Sequence, residues 1–241
     1  MTQATDTKTR PILFNGAMVR AILDGSKTQT RRVIKNLKPF DGCDDGLGSY
    51  ALINIEKCPY GKPGDLLWVR ETWRLRSWDH DFFDCNLEYK ADGNTRRFST
   101  DELWTFPDEK WEKLSTQLLK KGVEKNSDGD FVWDEGECPV NWEPSIYMPY
   151  NVCRITLEVK RIWVERVQDI SEGDAYSEGI LECDGMLDEV SICKFAGKLN
   201  ESFEEPRPWF ATLWDSINAS RGYGWDSNPW VWCVEFERIN P

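Results

Sequence analysis

Histidine is almost absent: His80 is the one imidazole in 241 residues. Ser-His and Cys-His nucleophile schemes need an imidazole beside the nucleophile, so most of them are excluded. Mixed Cys/His zinc sites have almost no material, and neither a metal nor a cofactor is expected. No run of eighteen apolar residues occurs, which excludes a membrane-spanning helix. The N-terminus, MTQATDTKTR, lacks the apolar stretch of a signal peptide, so a cytoplasmic protein is expected. Cysteines stand at 43, 58, 85, 138, 153, 183, 193 and 233, none in a C-x-x-C arrangement. In a reducing compartment they are expected to be buried thiols rather than disulfides. Internal repeats and low-complexity tracts are missing too.

Bulk positive charge is also lacking. A net charge of −12 argues against a protein that coats nucleic acid by electrostatics alone. The distribution is uneven, however. Residues 1–40 hold eight Lys or Arg and two Asp, a local +6, which leaves −18 for the rest. A short cationic segment on an acidic body reads either as a focused anion or polynucleotide site or as a solvated basic face.

Hydrophobic residues at 40% and charged residues at 30% describe an ordinary globular chain of one domain. Asn15 is placed to cap a helix over 17–24, where Met18, Ala21 and Ile22 share one face. Gly25 stands where a helix end favours a left-handed residue. A Gly/Asp-rich loop follows at 41–49. Strands are expected at 51–57 and 66–73, the second introduced by the turn Lys62-Pro63-Gly64-Asp65. The pattern weakens over 76–141, which reads as an insertion with a helix near 110–121. Residues 153–166 alternate as a strand. Ser171 and Asp174 resemble a capping box that starts a short helix carrying Glu178. An acidic, loop-like stretch at 182–205 is read as a second insertion. Residues 208–217 are expected to be helical, and 230–239 to form the last strand. Many strands and few short helices imply an α+β class, a small mixed β-barrel rather than a doubly wound parallel sheet.

Chemistry concentrates in Gly25-Ser26-Lys27-Thr28-Gln29-Thr30-Arg31-Arg32. A phosphate-binding Walker loop needs Gly directly before the Lys, and Ser26 stands there instead. If Lys27 opens an extended stretch, odd positions form one row and Thr28, Thr30 and Arg32 the other. A turn at Lys27 would instead bring its amine to Thr30. A buried lysine of lowered pKa can serve as base to a hydroxyl nucleophile. A strand with solvated basic heads is the plain alternative.

These residues match a known pattern. G-x-K-x-x-T-x-R at Gly25, Lys27, Thr30 and Arg32 resembles the ASCH domain signature, in which Glu is commoner at the Thr position. ASCH domains are similar to PUA domains, small barrels with a cleft linked to RNA or modified nucleosides. The Thr form resembles small ASCH amidohydrolases acting on N4-acetylcytidine, and Asp174-Ala175-Tyr176-Ser177-Glu178-Gly179 looks like the helix bearing their acid. Further blocks resemble larger phage and prophage ASCH proteins: Pro11–Phe14, Cys58-Pro-Tyr-Gly61, Pro63-Gly-Asp65 with Leu67–Trp73, and Asn228–Trp232. That second resemblance covers most of the chain, as one PUA-like domain with insertions at 76–141 and 182–205. The amidohydrolase match rests on two short motifs.

The resemblance implies that Thr30 attacks an acyl carbon, Lys27 takes the hydroxyl proton, and Glu178 protonates the leaving amine or orients Lys27. Gly25, Arg31, Arg32 and Arg70 would bind substrate. From its place on a strand, Arg70 either recognises a phosphate or carbonyl or pairs with an acidic neighbour. Trp68, Trp73, Trp209, Trp230 and Trp232 either stack a base or pack the core. Two functions are open on the sequence: hydrolysis of an acylated or modified nucleoside, and non-catalytic binding of RNA or a modified nucleoside.

Overall fold

The computed structural model describes residues 7–35, 57–79, 84–99, 108–134, 136–179 and 206–239. The loop expected at 41–49, the strand at 51–57 apart from Lys57, and the acidic insertion at 182–205 lie outside the described residues. The chain is a mixed α+β protein with two sheets and few helices. The described residues fall into two compact units, one drawn from Met1–Ile12, Ala17–Val69 and Ile155–Pro241, the other from Leu13–Gly16 and Arg70–Arg154.

The first unit carries a five-stranded sheet. Its strands are β1 (Thr9–Leu13), β2 (Gln29–Val33), β3 (Leu66–Arg70), β7 (Thr156–Arg166) and β8 (Trp230–Ile239), in the order β1-β3-β7-β8-β2. The strands expected near 66–73, 153–166 and 230–239 therefore share one sheet. β8 runs antiparallel to both β7 and β2, with Arg31 opposite Cys233 and Thr30 opposite Val234. Among the described residues the ladder ends at β1 and β2, so the sheet does not close on itself there. One face packs against two helices, Glu172–Ser177 and Pro206–Asn218, through Val167, Ile170, Ala175, Phe210, Trp214, Val231 and Cys233. Burying each large apolar side chain contributes about 1.5–3 kcal/mol, so this layer fixes β2 against the helix that ends at Glu178.

A turn near β3 explains the Cys58-Pro-Tyr-Gly61 and Pro63-Gly-Asp65 blocks. Asp65, 1% exposed, accepts the backbone N–H groups of Lys8 and Lys62 at 3.0 and 3.1 Å and Arg10 Nη1 at 2.6 Å. Gly61 sits at φ +99°, where a Cβ would lie 2.6 Å from Arg10 Nη1 and from Asp65 Oδ2. Only glycine fits there.

The second unit carries a three-stranded antiparallel sheet of β4 (Trp73–Asp79), β5 (Asp84–Tyr89) and β6 (Thr95–Ser99), with the helix Asp108–Lys120. The strand expected over 66–73 stops at Arg70, and a new one starts at Trp73. Between them Glu71, 1% exposed, is held by Arg154 through two 2.8 Å hydrogen bonds. Arg154 also binds Asp92 and lies 4.2 Å over the Tyr89 ring. Trp73, Leu75, Cys85, Leu87, Tyr89 and Phe98 fill this unit's core with Leu118, Val140, Met148 and Val152. The segment expected as an insertion thus contains ordered β-structure with a core of its own.

Candidate functional site

The site begins with a helix end. Helix α1 (Gly16–Leu23) is followed by Gly25 at φ +86°, the left-handed position expected from the sequence. Ser26 then hydrogen-bonds the Asp24 carboxylate through its N–H (2.9 Å) and Oγ (2.6 Å). The next two residues are tied on several sides. Lys27 N–H donates to Ala21 O (2.9 Å), Thr28 N–H to Ser177 O (2.8 Å), and Phe236 N–H to Thr28 O (2.8 Å). Lys27 is thus held in an isolated bridge just ahead of β2, which begins at Gln29, and within β2 odd and even positions alternate in facing.

From the other direction comes the short helix α3 (Glu172–Ser177), the third in chain order after Asp108–Lys120. Ser171 caps it, its Oγ accepting from Asp174 N–H at 3.1 Å and donating to Asp174 Oδ2 at 2.8 Å. Glu178 is the C-terminal cap and forms an isolated antiparallel bridge with Lys27. Gly179 follows at φ +88°, and a Cβ there would meet Ala21 Cβ at 3.0 Å and Lys27 Cβ at 3.1 Å. Glycine thus permits both the turn and the close approach of Glu178 to Lys27.

Lys27 and Glu178 meet in the interior. Lys27 Nζ donates to Glu178 Oε2 at 2.6 Å and to Glu178 O at 2.8 Å. The Lys27 side chain is fully buried and that of Glu178 is 4% exposed. Burial is the largest influence on the amine and draws its pKa below the ordinary 10.5. The Glu178 carboxylate opposes that, while Arg32 and Arg31 reinforce it by like charge. The nitrogen spends two N–H groups on Glu178; its remaining tetrahedral position carries either a third proton or a lone pair.

Arg31 reaches the same carboxylate, its Nη1 lying 3.3 Å from Glu178 Oε1. Its Nε donates to Glu165 Oε1 at 2.7 Å, and Nη2 forms a 3.4 Å ion pair with Asp174 Oδ2. Nη1 also donates to Gln29 Oε1 at 3.3 Å. The guanidinium carbon stands 6.0 Å from the Trp163 ring and 5.9 Å from that of Phe210. Burial works against this charge, but Glu178, with Glu165, outweighs it and raises the Arg31 pKa. Beside Arg31 across the ladder, burial pushes the Cys233 thiol far up, so it stays a neutral SH.

Thr30 and Arg32 belong to the other row. Thr30 is 2% exposed and, among the described residues, makes no side-chain hydrogen bond to Lys27 or Glu178. Arg32 is half-buried; its surroundings depress its pKa by desolvation, partly offset by Tyr60 and Glu178. Tyr60 is shifted up by burial, with Arg32 opposing. Arg70, the last residue of β3 and the first of the second unit's Arg70–Arg154 segment, donates its Nε to Met148 O at 3.2 Å. Of the residues singled out by sequence, then, the structure brings Lys27, Glu178 and Arg31 into direct contact. Glu165, Gln29 and Tyr60 were not foreseen in this setting. Glu165 had a signal: an acid on the buried half of an alternating strand needs a cation.

Among the described residues, no group of three or more His, Cys, Asp or Glu is placed to hold a metal ion. No helix among them is long and apolar enough to cross a membrane. No family model, curated protein or solved structure matches the chain.

Proposed function

We propose that this chain is an ASCH-type, PUA-like protein that hydrolyses the acyl–nitrogen bond of an acylated or otherwise modified nucleoside. The observation that carries the reading is the fully buried Lys27 amine, 2.6 Å from Glu178 Oε2 and lowered in basicity by its burial. A lysine whose proton affinity is lowered by burial can supply a base without histidine, in a chain that has only one. In this reading Thr30 Oγ attacks the acyl carbon as Lys27 removes its proton. Lys27 returns that proton to the departing amine, and water then cleaves the acyl-threonine ester. Glu178 orients Lys27 by taking two of its N–H groups. Gly25 places the motif, and Arg32, half-buried with Tyr60 near it, meets the polar edge of the base.

A second reading rests on one observation as well. Lys27 Nζ is hydrogen-bonded to Glu178 O and Oε2, and among the described residues no hydrogen bond joins it to Thr30. A pure reader of modified nucleosides or RNA needs no such contact, whereas an enzyme must form it on substrate binding. Incubating the purified protein with N-acylated nucleosides, and following the deacylated base by chromatography, tests the proposal. Conversion of at least one compound is expected. Binding without conversion across the set would establish the reader.

A further inference from the structure

Arg31 is the first of the two arginines in the basic motif and, by resemblance, a substrate contact. Its surroundings assign it a different task. The side chain has no exposed surface, and all three guanidinium nitrogens face acceptors of this chain. Glu165 Oε1 takes Nε, and the far oxygen of Glu165 is fixed in turn by Trp163 Nε1 at 2.7 Å. Asp174, itself tied to the helix cap at Ser171, faces Nη2. The aromatic rings of Trp163 and Phe210 flank the guanidinium. Nη2 makes the ion pair with Asp174 but no hydrogen bond, and the side chain offers a ligand no exposed surface; one of its contacts ends on the working carboxylate. Glu178 offers Oε1 to Arg31 at 3.3 Å and Oε2 to Lys27 at 2.6 Å.

We propose that Arg31 is a positioning residue: anchored by Glu165 and Asp174, it holds Glu178 Oε1 and leaves Lys27 only Oε2, so that the carboxylate is shared. The inference builds on the reading of Lys27 and Glu178 as the working pair, but it is tested without any substrate. Glu178, Arg32 and Arg31 act on Lys27, while Glu178, Cys233, Glu165 and Asp174 face Arg31. Sharing keeps Glu178 from neutralising the lysine fully, and the positive charge of Arg31 acts in the same direction.

The test is the titration of Lys27 in protein labelled with carbon-13 at lysine Cε, its resonance assigned by its loss in Lys27→Met. In Arg31→Met, Glu178 serves Lys27 alone and a like charge is gone, so the midpoint should rise by roughly one pH unit, a tenfold change in proton affinity. In Glu165→Gln, Arg31 loses a carboxylate and leans harder on Glu178, so the midpoint should fall. Arg31→Lys keeps the charge without the fork and should land between wild type and Arg31→Met. If Arg31→Met fails to fold, because three carboxylates lose their cation, the opposite shift in Glu165→Gln decides. A midpoint that stays at the wild-type value in the folded variants, or moves against these signs, overturns the proposal. Absence of any nucleoside turnover would sink the enzymatic reading and leave this titration result standing.

Discussion

Lys27 Nζ donates to both the backbone carbonyl and the side-chain Oε2 of Glu178, a residue 151 positions further along the chain. The double contact is what an amine needs to survive burial: one acceptor is fixed by the backbone bridge, the other by the carboxylate. It couples the end of α1, the start of β2 and the end of α3 in one place.

Removing either partner leaves the other charged group in the interior. Lys27→Met and Glu178→Gln are each expected to destabilise the protein by about 3 kcal/mol. The double variant should lose less than the sum by about 1–3 kcal/mol, because the two side chains are in direct contact. Urea denaturation of the four proteins measures the coupling; strict additivity would show that the pair contributes nothing jointly.

The buried amine also predicts a pH dependence. Since the folded-state pKa of Lys27 lies below 10.5, the unfolded chain binds more protons at this residue between the two values. Stability therefore rises with pH across that window, is fully present above 10.5, and is lost as pH falls through the folded pKa. The stability difference between wild type and Lys27→Met should grow in favour of wild type as the solution is made alkaline. Parallel curves for the two proteins would contradict a depressed lysine.

Two glycines separate strain from crowding. Gly25→Ala must place a Cβ at φ +86° with no atom within 4 Å, so only backbone strain of about 1–2 kcal/mol is expected. Gly179→Ala adds to the same strain a Cβ at 3.0 Å from Ala21 Cβ and 3.1 Å from Lys27 Cβ. It should be the more damaging by about 1–3 kcal/mol and should also disturb the Lys27 titration. Equal losses in thermal unfolding would mean that the approach of Glu178 to Lys27 is looser than described.

Asp65 gives an acid-side prediction. Burial alone would raise its pKa, but the N–H groups of Lys8 and Lys62 and the side chain of Arg10 together hold it below 3.8. Its contribution is present above that ordinary value and is lost as pH falls through the folded pKa. Asp65→Asn should cost about 1.5–3 kcal/mol at neutral pH and flatten the acid limb of stability. An unchanged acid limb would remove Asp65 from the account.

Much of the sheet was legible because its strands alternate. Trp230–Ile239 falls where expected, and the helix at Pro206–Asn218 extends the expected 208–217 by its first two and last residues. The sheet of β4, β5 and β6 was not legible. Apolar residues alternate over Trp73 and Leu75 in β4 and over Cys85, Leu87 and Tyr89 in β5, but the runs are short and highly charged on the other row: β6, Thr-Arg-Arg-Phe-Ser, has one apolar side chain, and Arg74 and Arg76 of β4 are satisfied by Glu88 on β5. Pairing across strands, not local pattern, makes those positions tolerable. At the site, the motif pointed to Lys27 and Glu178, and the left-handed Gly25 followed from helix-end geometry. The cage around Arg31 was hidden because Glu165 and Asp174 each have an ordinary local reading, a strand acid and a helix cap.

The most direct test of the central claim compares wild type, Thr30→Val and Lys27→Met on a nucleoside that the wild type binds. Affinity is measured by calorimetry and deacylation by chromatography. Thr30→Val keeps the shape and removes the attacking oxygen, so turnover should collapse while affinity changes by no more than a hydrogen bond, about 1 kcal/mol. Lys27→Met keeps the apolar stem and loses the base, and should behave likewise. Turnover that survives in Thr30→Val, or a wild type that binds nucleosides tightly and converts none, would contradict the account.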